Sequence, residues 1–131
     1  MSQYTISERH RRSYSPLGLM VLTGPGEEYK AGSHWMVGDQ NGYAEIRLMH
    51  DSKAYMKNTL YLEHIVVKEN KRGVGNGSLL FRKIEAMARN LGVDYVQLDS
   101  ESDAVGFWYK MGFTALDFIY YQNKTAMIKE I

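Results

Sequence analysis

The sequence predicts an α+β fold in α/β/α layers: a mixed, mostly antiparallel central sheet with helices on both faces. Three observations predict it. Two strand-like segments, 34–38 and the alternating 43–49, flank Asp39-Gln40-Asn41-Gly42, which is a hairpin signal. An apolar segment, a glycine turn, a helical stretch and a second apolar segment succeed one another between Leu60 and Leu98, the order of a strand–helix–strand unit. A last hairpin pattern surrounds Gln122-Asn123-Lys124.

Composition narrows the function classes. The 131 residues suit a single domain, 1–131, with one core. A hydrophobic share of 44% and a charged share of 24% are those of an ordinary globular chain. The formal net charge of +1 gives no overall field for nucleic acid or membrane, and neither partner is expected. With no cysteine there is no disulfide, thiolate metal site or Cys nucleophile. The histidines His10, His34, His50 and His64 have no paired ligand spacing, so no metal is expected. No apolar run approaches ~18 residues, and Met1 to Ile6 lacks the pattern of a signal peptide. The reading is a cytoplasmic protein.

The elements follow in order. Tyr4 to Ser7 is a candidate strand, and Glu8-Arg-His-Arg-Arg12 is read as a solvated basic face. Ser15-Pro16 breaks any helix, and Leu17 to Thr23 is an apolar strand or short helix that periodicity does not separate. Thr23-Gly-Pro-Gly26 is a turn. Tyr43, Glu45, Arg47 and Met49 alternate with Ala44, Ile46 and Leu48, so that strand has one polar and one buried face. His50 to Asn58 reads as a polar loop. Leu60 to Val67 is a buried strand. A helix runs from Ser78 to Leu91, with Leu80, Ile84, Met87 and Leu91 on one stripe, and Gly92 stops it. Val93 to Leu98 is the next strand. A second helix has Ser102 as N-cap and Asp103 at its positive end, runs to Met111 and ends at Gly112. Phe118 to Tyr121 and Thr125 to Ile131 form the final hairpin, whose open edge suits a homodimer.

The chemistry concentrates where the strand at 60–67 meets its helix. Arg72, Gly73, Val74, Gly75, Asn76, Gly77 and Ser78 place three glycines in five residues at a strand-to-helix junction. Such a junction turns successive N–H groups into one concavity at the positive end of a helix, which suits phosphate or pyrophosphate. A P-loop would need Lys after the last glycine, and Ser78 stands there. A dinucleotide fingerprint would need several further βαβ units, for which residues 79–131 leave no room. The remaining motif, Arg-x-x-Gly-x-Gly, is met by Arg72, Gly75 and Gly77 after the aliphatic run Ile65-Val66-Val67. It resembles the acetyl-CoA loop of the GNAT acetyltransferase superfamily. The stretch from Glu101 to Phe113 resembles that family's closing motif, with Ala104, Lys110, Gly112 and Phe113 in register. Together the two motifs cover residues 60–113.

The resemblance implies an acyl-CoA N-acyltransferase-like sheet with splayed central strands, and acetyl-CoA as co-substrate. It implies pyrophosphate on Arg72 to Ser78, pantetheine along Ile65, Val66 and Val67, and Trp108 beside the cofactor. It implies an N-acetyltransferase that carries acetyl to a primary amine, on a small molecule or protein, by direct attack in a ternary complex. Glu63 and His64, expected on opposite faces of the strand, are the candidate bases, with Glu63 preferred and Asp99 third. The family's thiolate acid is a Tyr at the position of Trp108, and indole N–H is no useful acid. Tyr109 is then the candidate acid, with Tyr120 or solvent as substitutes. The family's Asn is replaced by Glu101, and the two helices it carries before the first hairpin are not evident in residues 1–33. These departures keep a second reading in view, a catalytically silent acetyl-CoA-binding module that regulates a partner protein.

Overall fold

The computed structural model describes residues 3–5, 18–23, 28–30, 34–49, 58–121 and 123–131. The basic run Glu8–Arg12, the turn after Thr23 and the loop from His50 to 57 lie outside the described residues. The strands are β1 (Gln3–Thr5), β2 (Met20–Thr23), β3 (Glu28–Lys30), β4 (His34–Asp39), β5 (Gly42–Met49), β6 (Thr59–Val67), β7 (Tyr95–Ser100), β8 (Thr114–Tyr121) and β9 (Lys124–Glu130). Helix α1 spans Asn76–Leu91 and α2 spans Val105–Lys110, with 3-10 turns at Glu69–Lys71 and Ser102–Ala104.

Among the described residues seven strands form one sheet in the order β2-β4-β5-β6-β7-β9-β8, and β1 pairs with β3 apart from it. β6 and β7 run parallel, and the other neighbours are antiparallel. The parallel pairing covers Thr59 to Tyr61 against Tyr95 to Gln97 and then stops. Beyond it the two strands diverge in the middle of the sheet, which is the splay that the family resemblance implies.

The hairpin at Asp39 forms as its sequence demands, with Asp39 Oδ1 accepting from the amides of Asn41 (2.7 Å) and Gly42 (3.1 Å). Gly42 has a spatial reason as well, since a Cβ there would meet the Val66 carbonyl oxygen at 2.2 Å. Ala44, Ile46 and Leu48 pair with Ile65, Leu62 and Leu60 on the buried face. The apolar stripe of α1, including Leu80, Ile84, Met87 and Leu91, lies in the same core. Phe81, Trp108 and Phe113 meet edge-on or tilted at 5.3–5.5 Å and join α1, α2 and the start of β8.

Some boundaries differ from the sequence reading. Leu17 to Thr23 resolves as strand from Met20, and the strand Glu28–Lys30 carried no alternation that marked it. Ser102 does not cap the second helix: it opens a 3-10 turn after Glu101, and α2 starts at Val105 with no side-chain cap. Gly92 does end α1, at φ 77°, with its N–H on the Ala88 and Arg89 carbonyls.

Candidate active site

The divergence of β6 from β7 opens a cleft of about 280 Å³. One wall is β6 from Leu62 to Ile65 with Val67, the other is Leu98, Asp99 and Ser100 of β7, and Phe107 and Trp108 of α2 also line it. Gly77 closes the end nearest the glycine loop, and Glu101, Ala104 and Lys124 complete the lining.

The β6 wall has an open backbone edge, and its phase can be read. Lys68 N–H donates to Asn41 O (2.8 Å), and the Val66 carbonyl faces Gly42 on β5. Backbone groups alternate along a strand, so those of Ile65 and Val67 face the cleft. Val67 O there accepts from Arg72 Nε at 2.9 Å. Val66 was expected to contact the cofactor, but its backbone is committed to β5 and it does not line the cleft.

The glycine loop presents a helix start. Gly73 and Gly75 adopt φ of 80° and 84°, and Gly75 is the N-cap residue of α1. Leu79 N–H makes the first intrahelical bond, to Gly75 O (3.1 Å). The N–H groups of Asn76, Gly77 and Ser78 therefore have no partner within the helix. No acid sits in that first turn, so the positive end of the helix is uncompensated. Two side chains hold the loop rather than reach outward. Arg72 ties it to the end of β6, and Asn76 Nδ2 donates to Lys71 O (2.8 Å) while its Oδ1 accepts from Asn41 Nδ2 (3.4 Å). Val74 is the exposed tip.

On the polar side of the sheet a β-bulge rearranges the candidate bases. Glu45 pairs with His64 and Ile46 with Leu62, so Glu63 is an extra residue in β6. Glu63 and His64 were expected on opposite faces; the bulge turns both to the polar face. There Arg47 Nε lies 2.7 Å from Glu63 Oε1, a contact of charge, since that Nε has no hydrogen-bond partner among the described residues. His34 Nε2 lies 3.4 Å from both Glu45 Oε2 and Glu63 Oε2, and the His64 ring lies 6.5 Å from that of Tyr43. Linear spacing gave no metal site, yet His34, Glu45 and Glu63 bring ligand atoms within 4.8 Å of one another from three strands. The Arg47 guanidinium against Glu63 opposes a cation there.

Asp99, the third candidate base, accepts a hydrogen bond from the Tyr61 hydroxyl. Burial, then that bond and the Asp99 charge, push the Tyr61 pKa up, so this phenol keeps its proton. Trp108 lines the cleft yet is only 5% exposed, packed against Phe81, Phe107 and Phe113. Tyr109, the candidate acid, is 52% exposed and does not line the cleft. Tyr120 lies on β8, with its backbone opposite Thr125. Glu63, His64, Ile65, Val67, Gly77 and Trp108 are thus brought together. Sequence reasoning missed Lys124, Tyr61 and His34, which enter through strand pairing.

Fold and motif together define a CoA-dependent acyltransferase type of domain. Residues 5–113 match the acetyltransferase (GNAT) family. The chain belongs to this family, whose co-substrate is acetyl-CoA. Among solved structures it is similar to the PaiA N-acetyltransferase of Thermoplasma acidophilum in complex with coenzyme A, at TM-score 0.60 and 18% identity, over 92% of this chain and 65% of that one. It is also similar to Escherichia coli ElaA, at TM-score 0.58 and 19% identity over 76% of this chain and 70% of that one. A Bacillus subtilis acetyltransferase in complex with CoA matches at TM-score 0.54 and 16% identity, over 75% of this chain and 77% of that one. The chain thus spans just under two thirds of the length of the PaiA structure it matches. Among the described residues no helix is long and apolar enough to cross a membrane.

Proposed function

We propose that this protein is an acetyl-CoA-dependent N-acetyltransferase that acetylates a primary amine by direct attack in a ternary complex. The observation that carries the reading is the divergence of β6 from β7. It brings an open strand edge, a bare helix start and a carboxylate into one cleft.

The amides of Asn76, Gly77 and Ser78 hold the pyrophosphate, favoured by the helix end. The pantetheine amides pair with the backbone of Ile65 and Val67 as an added strand would. This leaves the thioester near Ile65, whose N–H faces the cleft and stabilises the developing oxyanion by about 3 kcal/mol. An amine attacks through its lone pair and must be neutral, although an ordinary lysine-type amine has a pKa of about 10.4. Glu63 attracts the ammonium form and takes its proton, directly or through a water, and Arg47 holds the carboxylate in place. His64 lines the same wall and is the alternative base. The CoA complexes of the Thermoplasma and Bacillus structures support the cofactor assignment. A cytoplasmic location and pairing of two copies along the outer strand β8 fit the same reading.

One observation favours a second reading, a silent acetyl-CoA-binding module that acts on a partner protein. Trp108 is buried where the family has its acid, and Tyr109 points elsewhere. The experiment is a thermal shift with acetyl-CoA, then CoA release with polyamines, aminoglycosides, amino acids and peptides. Release with any amine supports the enzyme. A thermal shift without release removes the enzyme and leaves the module, and no shift removes both.

A further inference from the structure

The cleft lacks the phenol that the family motif places on its helix, but it carries a cation. Among the described residues that line it, Lys124 is the only Lys or Arg. Strand pairing puts it there. Thr125 of β9 lies opposite Ser100 of β7, so the preceding residue reaches over Glu101. Lys124 Nζ stands 3.4 Å from Glu101 Oε1, and its side chain is 35% exposed. The motif positions for Asn and Tyr therefore hold Glu101 and Trp108, and the next strand pair delivers a lysine to the cleft that both of them line. Lys124 lines the same cleft as Glu63, Ile65 and Trp108.

We infer that Lys124 is a catalytic residue whose ammonium holds the sulfur of departing CoA as a thiolate, in place of the missing phenol. This rests on the acetyl-CoA reading of the cleft. The amine nitrogen forms the C–N bond with its lone pair. The C–S bond breaks and its electron pair goes to sulfur; Glu63, having passed the ammonium's first proton to solvent, takes the second proton that leaves the nitrogen as the amide forms. Lys124 keeps its own proton and gives the sulfur a charge-assisted hydrogen bond. An ordinary ammonium, with a pKa of about 10.4, is a weaker acid than an ordinary thiol at about 8.5, so the ion pair forms in preference to proton transfer. Glu101 sets the strength of the effect. It keeps the ammonium at the rim and offsets part of its charge.

The test is the pKa of the CoA thiol bound to the full chain, read from thiolate absorbance against pH. It needs no knowledge of the acceptor. In the wild type the bound thiol should titrate about one unit below free CoA, a tenfold gain in thiolate. Lys124→Met should return it to the free value, Lys124→Arg should keep it low, and Glu101→Gln should lower it further. Equal thiol pKa values in wild type and Lys124→Met, with CoA bound to both, overturn the inference and leave the cofactor reading intact. Failure of the wild type to bind CoA overturns both. Acetylation of Lys124 on incubation with acetyl-CoA also overturns it, because the residue is then an acceptor.

Discussion

Gly77 separates a loop that holds a ligand from a loop that is only a turn. It is the second residue of α1, and its φ is not in the left-handed region. A Cβ there would sit 3.6 Å from Val67 Cγ2 and 3.9 Å from the Phe107 ring, which are ordinary contacts. The apo fold therefore accepts a side chain. Valine and glycine differ by about 0.5 kcal/mol in a helix, with valine favoured, so Gly77→Val should leave the unliganded melting temperature within a few degrees of wild type. Gly77 lines the cleft, however, and the two methyl groups would occupy the space beside the bare amides. Acetyl-CoA at ~100 times its dissociation constant adds about 2.7 kcal/mol to the wild type, roughly 10 °C in a chain of this size. Differential scanning fluorimetry with and without acetyl-CoA should show that rise in the wild type and none in Gly77→Val. An undiminished rise in the variant would refute the placement of the pyrophosphate at this helix start.

Glu63→Gln should lower turnover of whichever amine is accepted by about 100-fold while the acetyl-CoA melting shift stays unchanged; a rate within twofold of wild type would remove Glu63 as the base. Burial alone would raise the pKa values of Asp39 and Glu85, but Lys83 and the Asn41 and Gly42 amides hold Asp39 below its ordinary 3.8, and Lys129, Arg82 and Arg89 hold Glu85 below 4.5. Their folded states bind fewer protons than their unfolded ones, so their contribution is complete above those ordinary values and is lost as pH falls through the lower folded values. Urea midpoints should therefore fall steeply below about pH 4, and Lys83→Met should flatten that fall. Lys129 bonds Glu85 and also donates to Met111 O at 2.9 Å, at the end of α2. Lys129→Met leaves buried Glu85 with Arg82 and Arg89 alone and should cost about 2 kcal/mol in urea unfolding.

The legible parts of the chain are those where one residue type forces one conformation. Asp39 and Gly42 dictated their hairpin, and Gly73, Gly75 and Gly92 marked backbone positions that the structure holds at positive φ. The strand–loop–helix order then made the mixed sheet readable, and the family resemblance supplied its splay. What escaped depends on register. The bulge at Glu63 leaves no mark in hydropathy, because an extra polar residue on a strand looks like a shift in alternation. His34, Glu45 and Glu63 come from three strands, and Lys124 meets Glu101 only because Thr125 pairs with Ser100. Ser102 had the chemistry of a cap, but the chain enters α2 through a 3-10 turn instead.

The hairpin tip and the glycine loop are 35 residues apart at Asn41 and Asn76 and yet are bonded to each other. Asp39 fixes the tip, which accepts Lys68 N–H just before the loop, and Lys83 from α1 clamps Asp39 at 2.8 Å. The apex residue, Gln40, is exposed. An environment-sensitive dye on Gln40→Cys, in a chain otherwise free of thiols, would sit behind the loop, outside the cleft, and report occupancy by a change in fluorescence.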